Sequence, residues 1–323
     1  MDITWGPLSR DDAEALAELY AAIEAEDRID EHYSADDMAE YLADPLLDLA
    51  EGTLGAWHGT RLVAAGLLPC KQAADPAHLM VLGGGVHPQV RRQGYGRRIL
   101  DWAIRTAPVL HDRRYPGRPL ELHAGADDRE KGKAALLESA GFTQVRWFFE
   151  MSADLAEARP RAAVPDGIRI VPWSPELDDG ARAVRNLAFR DHWGSVPHTP
   201  ESWRHALTGA SSFRPESSFL ALAGDRVVSI LLTQYFEADT AATGVRDAYI
   251  AIIGTLREWR GRGVAGALIA HALTEFRRQG YGTASLGVDA DNPTGAVGVY
   301  ERAGFKVEHR GAVYALPLRG TSR

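Results

Sequence analysis

The chain has 323 residues, about twice a typical domain, with 45% hydrophobic and 25% charged residues and a formal net charge of −8. That balance belongs to an ordinary soluble globular protein and excludes disorder, collagen-like repeats, coiled coil and, for want of an apolar run near 20 residues, a membrane helix. The acidic balance speaks against nucleic acid or an anionic membrane as partner.

The start, Met1 to Gly6, lacks the basic-then-apolar pattern of a signal peptide. The single cysteine, Cys70, allows neither an internal disulfide nor a cysteine-based metal knuckle. A reducing cytoplasm is the expected home.

In chain order, the acidic runs Glu24–Asp27 and Asp36-Asp37 read as solvated helix faces. The apolar run Leu79–Leu82 is followed by Val86-His87-Pro88-Gln89-Val90-Arg91-Arg92-Gln93-Gly94-Tyr95-Gly96, and Ala140-Gly141-Phe142 then marks a stop. Residues 156–167, with two prolines and no apolar periodicity, suit a connector. Beyond it Leu177, Ala181, Val184, Leu187 and Ala188 recur at helical spacing, and 200–208 reads as a second helix. Residues 219–223 and 227–232 form a hairpin about Gly224-Asp225. The strand 248–253 is apolar on both faces, which predicts helices on both sides. Ala265, Leu268, Ile269, Ala272, Leu273 and Phe276 trace one face of an amphipathic helix. A short strand covers 285–289. Asn292 caps a helix whose first position is Pro293, Gly304 ends that helix, and Phe305–Val307 resumes as strand.

The same landmarks occur twice. Tyr249–Ile253, the loop Arg260-Gly261-Arg262-Gly263-Val264-Ala265 and the stop Ala303-Gly304-Phe305 repeat, in order, the apolar run, loop and stop of the first half. The chain therefore reads as a tandem duplication, with domains at 1–155 and 168–323. Each is a mixed α/β unit with helices packed on a central sheet.

A glycine-bearing loop between a buried strand and an amphipathic helix points backbone N–H groups outward at the positive end of a helix dipole, which makes an anion site. Arg260 and Arg262 add forked donors suited to phosphate. The plainer reading, a tight turn with solvated arginines, is disfavoured by the position of the loop and its duplication. The triphosphate pattern GxxxxGK[ST] and the dinucleotide pattern GxGxxG are both absent.

The pattern Arg260-x-x-Gly263-x-Ala265, with Asn292, Ala296, Tyr300-Glu301 and Gly304-Phe305 downstream, resembles the GCN5-related N-acetyltransferases. The resemblance covers 168 to the end and, more faintly, the first half at Val86–Gly96. It implies two tandem domains, each with a mixed, mostly antiparallel sheet flanked by helices. It also implies acetyl-CoA as acyl donor, with its diphosphate gripped by Arg260, Gly261, Arg262, Gly263, Val264 and Ala265. Its pantetheine arm would run along Ile253, Gly254 and Thr255, with Asn292 either bonding that arm or capping its helix. In the first half Arg91, Gly94 and Gly96 match the loop. Within the family the tandem layout is distantly similar to mycothiol synthase, a two-copy member in which only the C-terminal copy is catalytic. There this chain departs, having Tyr249 where a glutamate is expected.

The implied reaction is acyl transfer to a primary amine of a small molecule, in a ternary complex and without metal. Tyr300 is the candidate general acid, and the backbone N–H near Ile253 the oxyanion donor. Tyr249 and Asp247, two apart on one strand face, are candidate bases, with Glu237, His192 and His198 as rivals. Counting back four from Gly141 gives Leu137 where the second copy has Tyr300. Asp127–Glu130 stands where the second copy has its Asn-Pro cap. The first copy is therefore expected to be non-catalytic, whether or not it binds coenzyme A. A silent acyl-CoA-binding protein is the alternative from another class. His192, His198 and His205 lack metal-ligand spacing, Cys70 reads as a buried hydrophobe, and Trp193, Trp203 and Trp259 read as core or pocket wall. A monomer or a homodimer is equally compatible with the sequence.

Overall fold

A computed structural model describes residues 3–71, 76–158, 162–190, 192–291 and 295–320. The first half contains β1 (Ile3–Gly6), α1 (Ala13–Asp27), α2 (Ala35–Leu42), β2 (Thr53–His58), β3 (Arg61–Leu67), β4 (His78–Val86), α3 (Tyr95–Arg114), β5 (Leu120–Asp127), α4 (Lys131–Ser139) and β6 (Thr143–Asp154). The second contains β7 (Ile168–Pro172), α5 (Asp178–Ala188), α6 (Pro200–Trp203), β8 (Phe219–Ala223), β9 (Arg226–Gln234), α7 (Glu237–Thr243), β10 (Asp247–Thr255), α8 (Val264–Arg278), β11 (Thr283–Asp289), α9 (Ala296–Ala303) and β12 (Lys306–Arg319). Among the described residues no helix is long and apolar enough to cross a membrane.

The compact units are not the ones drawn from sequence. One is Met1–Trp147 together with Gly311–Arg323, and the other is Phe148–Arg310. The cause is two long strands. β6 runs on past Trp147, and its Phe148–Asp154 pairs antiparallel with Asp289–Thr283 of β11. β12 returns the exchange, pairing Gly311–Arg319 with Asp127–Leu120 of β5. Composition placed the boundary at 156–167, but pairing places it inside strands.

In the first unit β1 to β4 form an antiparallel run and β4 lies parallel to β5. Met80, Leu100, Leu120, Leu122, Leu137 and Phe142 pack one core, while Leu16, Leu19, Ile23 and Leu42 of α1 and α2 pack another with Leu62 and Leu67. In the second unit β7, β8, β9 and β10 are antiparallel neighbours and β10 is parallel to β11. The predicted stripe of α8 is buried: Leu268, Ile269, Ala272, Leu273 and Phe276 are each at 0% exposure, against Ile250, Leu286 and Val288. Helix α5 covers the other face with Ala181 and Val184, against Leu220, Val228, Ile230 and Leu232. Leu187, placed on the inner stripe by spacing, is exposed, because Ala181, Val184 and Ala188 set the inward line. The helix read over 200–208 widens after Trp203, where the N–H of Gly209 bonds the carbonyl of Arg204.

Candidate active site

The site begins where two strands part. β10 and β11 pair only from Asp247 with Thr283 to Tyr249 with Ser285. Beyond that point β10 stays bonded to β9 through Thr255, while β11 stays bonded to β6 through Asp289. Ala251 is an extra residue in the β10 ladder, and a bulge of that kind sharpens the local twist. The result is a notch in the middle of a sheet, edged by strand backbone. Interior backbone donors and acceptors are costly to leave unmade, so such a notch suits an extended, amide-bearing ligand that completes the ladder.

After the notch the chain turns through a loop in which Gly261 and Gly263 adopt φ of 71° and 81°, and Gly263 is the N-cap of α8. The first copy repeats these angles, with Arg92 at 63° and Gly94 at 89°. Both loops thus deliver the unsatisfied N–H groups of a long helix's first turn to the strand end. Gly96 is the second residue of α3, where a Cβ would come within 2.9 Å of Leu136 on α4.

The arginines do something other than the sequence suggests. Arg260 donates from Nε to the carbonyl of Thr255 at 3.1 Å and from Nη2 to that of Ala188 at 2.8 Å. It therefore clamps the strand end to α5 rather than presenting a free fork to phosphate. Arg91 makes the same Nε bond to Val86 at 3.1 Å and holds Asp27 with both terminal nitrogens, at 2.7 and 2.6 Å. Arg262 lies over the ring of Trp259 at 5.1 Å. Helix α8 starts at Val264, one residue before the predicted Ala265. Asn292 and Pro293 lie outside the described residues.

The two faces of the sheet differ in chemistry. On the α8–α9 face Tyr300 is 7% exposed and packs edge-on to Phe305. Burial pushes its phenol above the ordinary range, so it is protonated at neutral pH. The matching Leu137 is a core residue of the first unit with no proton to give.

On the opposite face Asp247 accepts hydrogen bonds from the hydroxyls of Thr283 (2.6 Å) and Ser285, tying the strands at the point where they diverge. Burial pushes this carboxyl up and the two hydroxyls partly restrain it. Tyr249, tilted against Phe236, is pushed up by burial and then by the charges of Glu150 and Asp247. A phenol so placed holds its proton instead of accepting one.

Glu150 was invisible to the sequence reading, because it sits on β6, outside the segment taken as the second domain. It pairs across the ladder with Gly287. Its Oε1 lies 3.0 Å from where a Cβ at 287 would stand, so the carboxylate occupies the space above that glycine.

Among the rivals, His192 packs against Phe189, and Trp193 against Phe148. His198 is pushed down to about 4 by burial, then by Arg185 and Arg182. Glu237 is exposed at the start of α7. Trp203 is core, donating to Asp178 at 2.8 Å. The Cys70 thiol is pushed up by burial, the opposite of a nucleophile. Among the described residues no group of three His, Cys, Asp or Glu side chains is placed to hold a metal. The acidic runs serve as local caps: Glu24 accepts from the N–H groups of Ile29 to Glu31, and Asp37 completes a capping box with Ser34.

The first copy's notch differs from the second's. Gly84 stands two residues before the arginine-bonded strand end Val86, as Ile253 stands before Thr255. There Tyr20 of α1 lies beside Gly84, whose backbone bears on its buried phenol. A Cβ at Gly83 would sit 3.5 Å from the Tyr41 hydroxyl, and one at Gly85 only 2.6 Å from Ile23 Cδ1.

A parted strand pair that runs into a glycine loop and a helix N-terminus, with a buried phenol beneath, defines an acyltransferase that grips a long phosphorylated donor. The acetyltransferase (GNAT) family model matches residues 14–115 and 182–305, and the chain belongs to the GCN5-related N-acetyltransferase family. It is an N-acetyltransferase, and the family's donor is acetyl-CoA. The chain is 29% identical over 274 residues to a mycothiol acetyltransferase of Catenulispora acidiphila, covering 81% of this chain and 82% of that one. A mycothiol acetyltransferase of Pseudarthrobacter chlorophenolicus is 30% identical, with 72% and 68% covered. Among solved structures, a GCN5-related N-acetyltransferase from Sphaerobacter thermophilus superposes with a TM-score of 0.75 at 26% identity, over 98% and 96% of the chains. A tandem GNAT protein from the clavulanic acid biosynthesis pathway gives 0.70 at 16% identity over 99% and 100%, a likeness of fold.

Proposed function

We propose that the Phe148–Arg310 unit carries the chemistry, and that its acceptor is a small-molecule primary amine, specifically the amine that acetylation converts to mycothiol or a close chemical relative. The similarity to mycothiol acetyltransferases, over 81% and 72% of this chain, supports the acceptor class. The observation that carries the site is the parting of β10 from β11 after Tyr249.

Acetyl-CoA brings a thioester on an amide-bearing arm. Ile253, Gly254 and Thr255 supply the strand edge that pairs with the arm, and the N–H of Ile253 faces the thioester oxygen as it gains charge, a fixed dipole that needs no reorganisation. The loop N–H groups from Gly261 to Ala265 take the diphosphate. Tyr300 gives its proton to the departing sulfur and regains one from solvent. The first copy keeps the loop, but it lacks the phenol and sets Tyr20 beside Gly84, which supports a non-catalytic role.

The test is free-thiol release from acetyl-CoA in the presence of the desacetyl form of mycothiol and a panel of small primary amines. Turnover with that acceptor, and a loss of about 10²-fold in kcat for Tyr300→Phe with acetyl-CoA affinity retained, is the expected result. Turnover confined to chemically unrelated amines contradicts the acceptor, and an unimpaired Tyr300→Phe contradicts the acid.

A further inference from the structure

The second copy's sheet carries a carboxylate supplied by the strand that leaves the first. Glu150 of β6 is directly opposite Gly287 of β11, two residues beyond Ser285, the last β11 residue paired with β10. It therefore stands at the mouth of the notch. Side chains alternate across strands, so Glu150, Tyr249 and Asp247 share one face. Tyr300 belongs to the core on the other. Because residue 287 is glycine, no side chain separates the carboxylate from the space above β11; its Oε1 and Oε2 lie 3.0 and 3.4 Å from the missing Cβ. Phe148, on the same strand and face, meets Trp193 from the segment after α5, which encloses this side. Asp247 already accepts two hydroxyl bonds, leaving it a strand tie.

Resting on the reading above, we propose that Glu150 is the proton acceptor for the attacking amine, from the face opposite Tyr300. The acceptor enters as an ammonium ion. It yields one proton to Glu150, its nitrogen forms the N–C bond at the thioester carbonyl, the C–S bond breaks and Tyr300 protonates the sulfur; the second nitrogen proton then restores the phenol by way of solvent, and Glu150 releases its proton to bulk water. Overall an ammonium and an acetyl thioester give an amide, a thiol and one released proton. Among the described residues, the titratable and charged groups on this side of the sheet include Asp247 and Tyr249 on β10, Asp289 on β11, and Arg182, Arg185, His192 and His198 on and after α5.

The test compares two nucleophiles in the full chain, a primary alkylamine, which must lose a proton, and hydroxylamine, which is already neutral near pH 7. Glu150→Gln should lower kcat for the alkylamine by about 10²-fold and abolish the acidic limb of its pH–rate profile. It should change kcat for hydroxylamine less than about threefold and leave the KM for acetyl-CoA unchanged. Gly287→Ala, whose new Cβ would meet Oε1 at 3.0 Å, keeps the charge but displaces it. It should reproduce the alkylamine loss in part, and it serves alone if Glu150→Gln does not fold. Wild-type alkylamine rates in both variants, or equal losses with both nucleophiles, overturn the assignment of Glu150 alone. If the unaltered chain acetylates neither of these nucleophiles nor the desacetyl form of mycothiol, the acyl-transfer reading falls and this assignment falls with it.

Discussion

At the residue scale the site depends on burial more than on charge. Asp247 holds two strands together through hydroxyls, so Asp247→Asn should cost about 1–2 kcal/mol in urea unfolding, the size of a charge-assisted bond partly open to solvent. Two histidines add a pH dependence remote from the chemistry. His78 sits at 0% exposure and bonds His111 Nδ1 to Nδ1 at 2.9 Å. Burial and then His111 push it down to about 4, and burial does the same to His198. An unfolded chain takes up protons on both below about pH 6.5, and the folded chain refuses them until about 4. Stability should therefore fall as pH is lowered through that window and level off below it, which urea midpoints at successive pH values would record. A flat midpoint between pH 6.5 and 4 contradicts it.

Tyr300 was legible because its offset from Gly304 could be counted along one helix. Arg260 was legible as a position, but spacing does not say that two of its donors end on the carbonyls of Thr255 and Ala188. Glu150 was illegible, because its proximity to Gly287 arises only when β6 crosses to the second unit.

At the scale of elements, the loops are the most telling feature. Gly263 holds a φ of 81°, and a Cβ there would find only Pro165 Cγ, 3.9 Å away. The cost of Gly263→Ala is thus backbone strain, about 1–2 kcal/mol, together with weakened acetyl-CoA binding as the first turn shifts. Gly94→Ala carries the same strain at 89° with nothing within 4 Å, and should lower the melting temperature comparably while sparing turnover. Calorimetry and steady-state kinetics on the two variants check the pair. Strand and helix identities were readable here from periodicity. The predicted 265–276 stripe is the buried face of α8, and the 219–232 hairpin turns at Gly224, φ 60°. Strand partners were not readable, because alternation fixes which face a residue takes but not which strand lies beside it.

At the scale of the whole molecule, the duplication could be seen in three repeated landmarks, but the strand exchange could not. Proline-rich composition marked 156–167 as a connector, whereas β6 and β12 each begin in one unit and end in the other. A chain reduced to 168–323, the domain drawn from sequence, would leave β11 without Phe148–Asp154 and β12 without β5. It should be insoluble or lack a cooperative melt, while 148–310 retains its sheet. Recovery of a cooperatively folded, active 168–323 would contradict the exchange.

The claim on which the rest depends is that the two copies are unequal, the second holding acetyl-CoA at 261–265 and passing its acetyl group to an amine. Free-thiol release by the full chain, measured with Gly94→Val and Gly263→Val side by side, addresses it directly. Turnover should survive the first substitution and collapse with the second. Loss with Gly94→Val alone, or survival in both, would contradict the account.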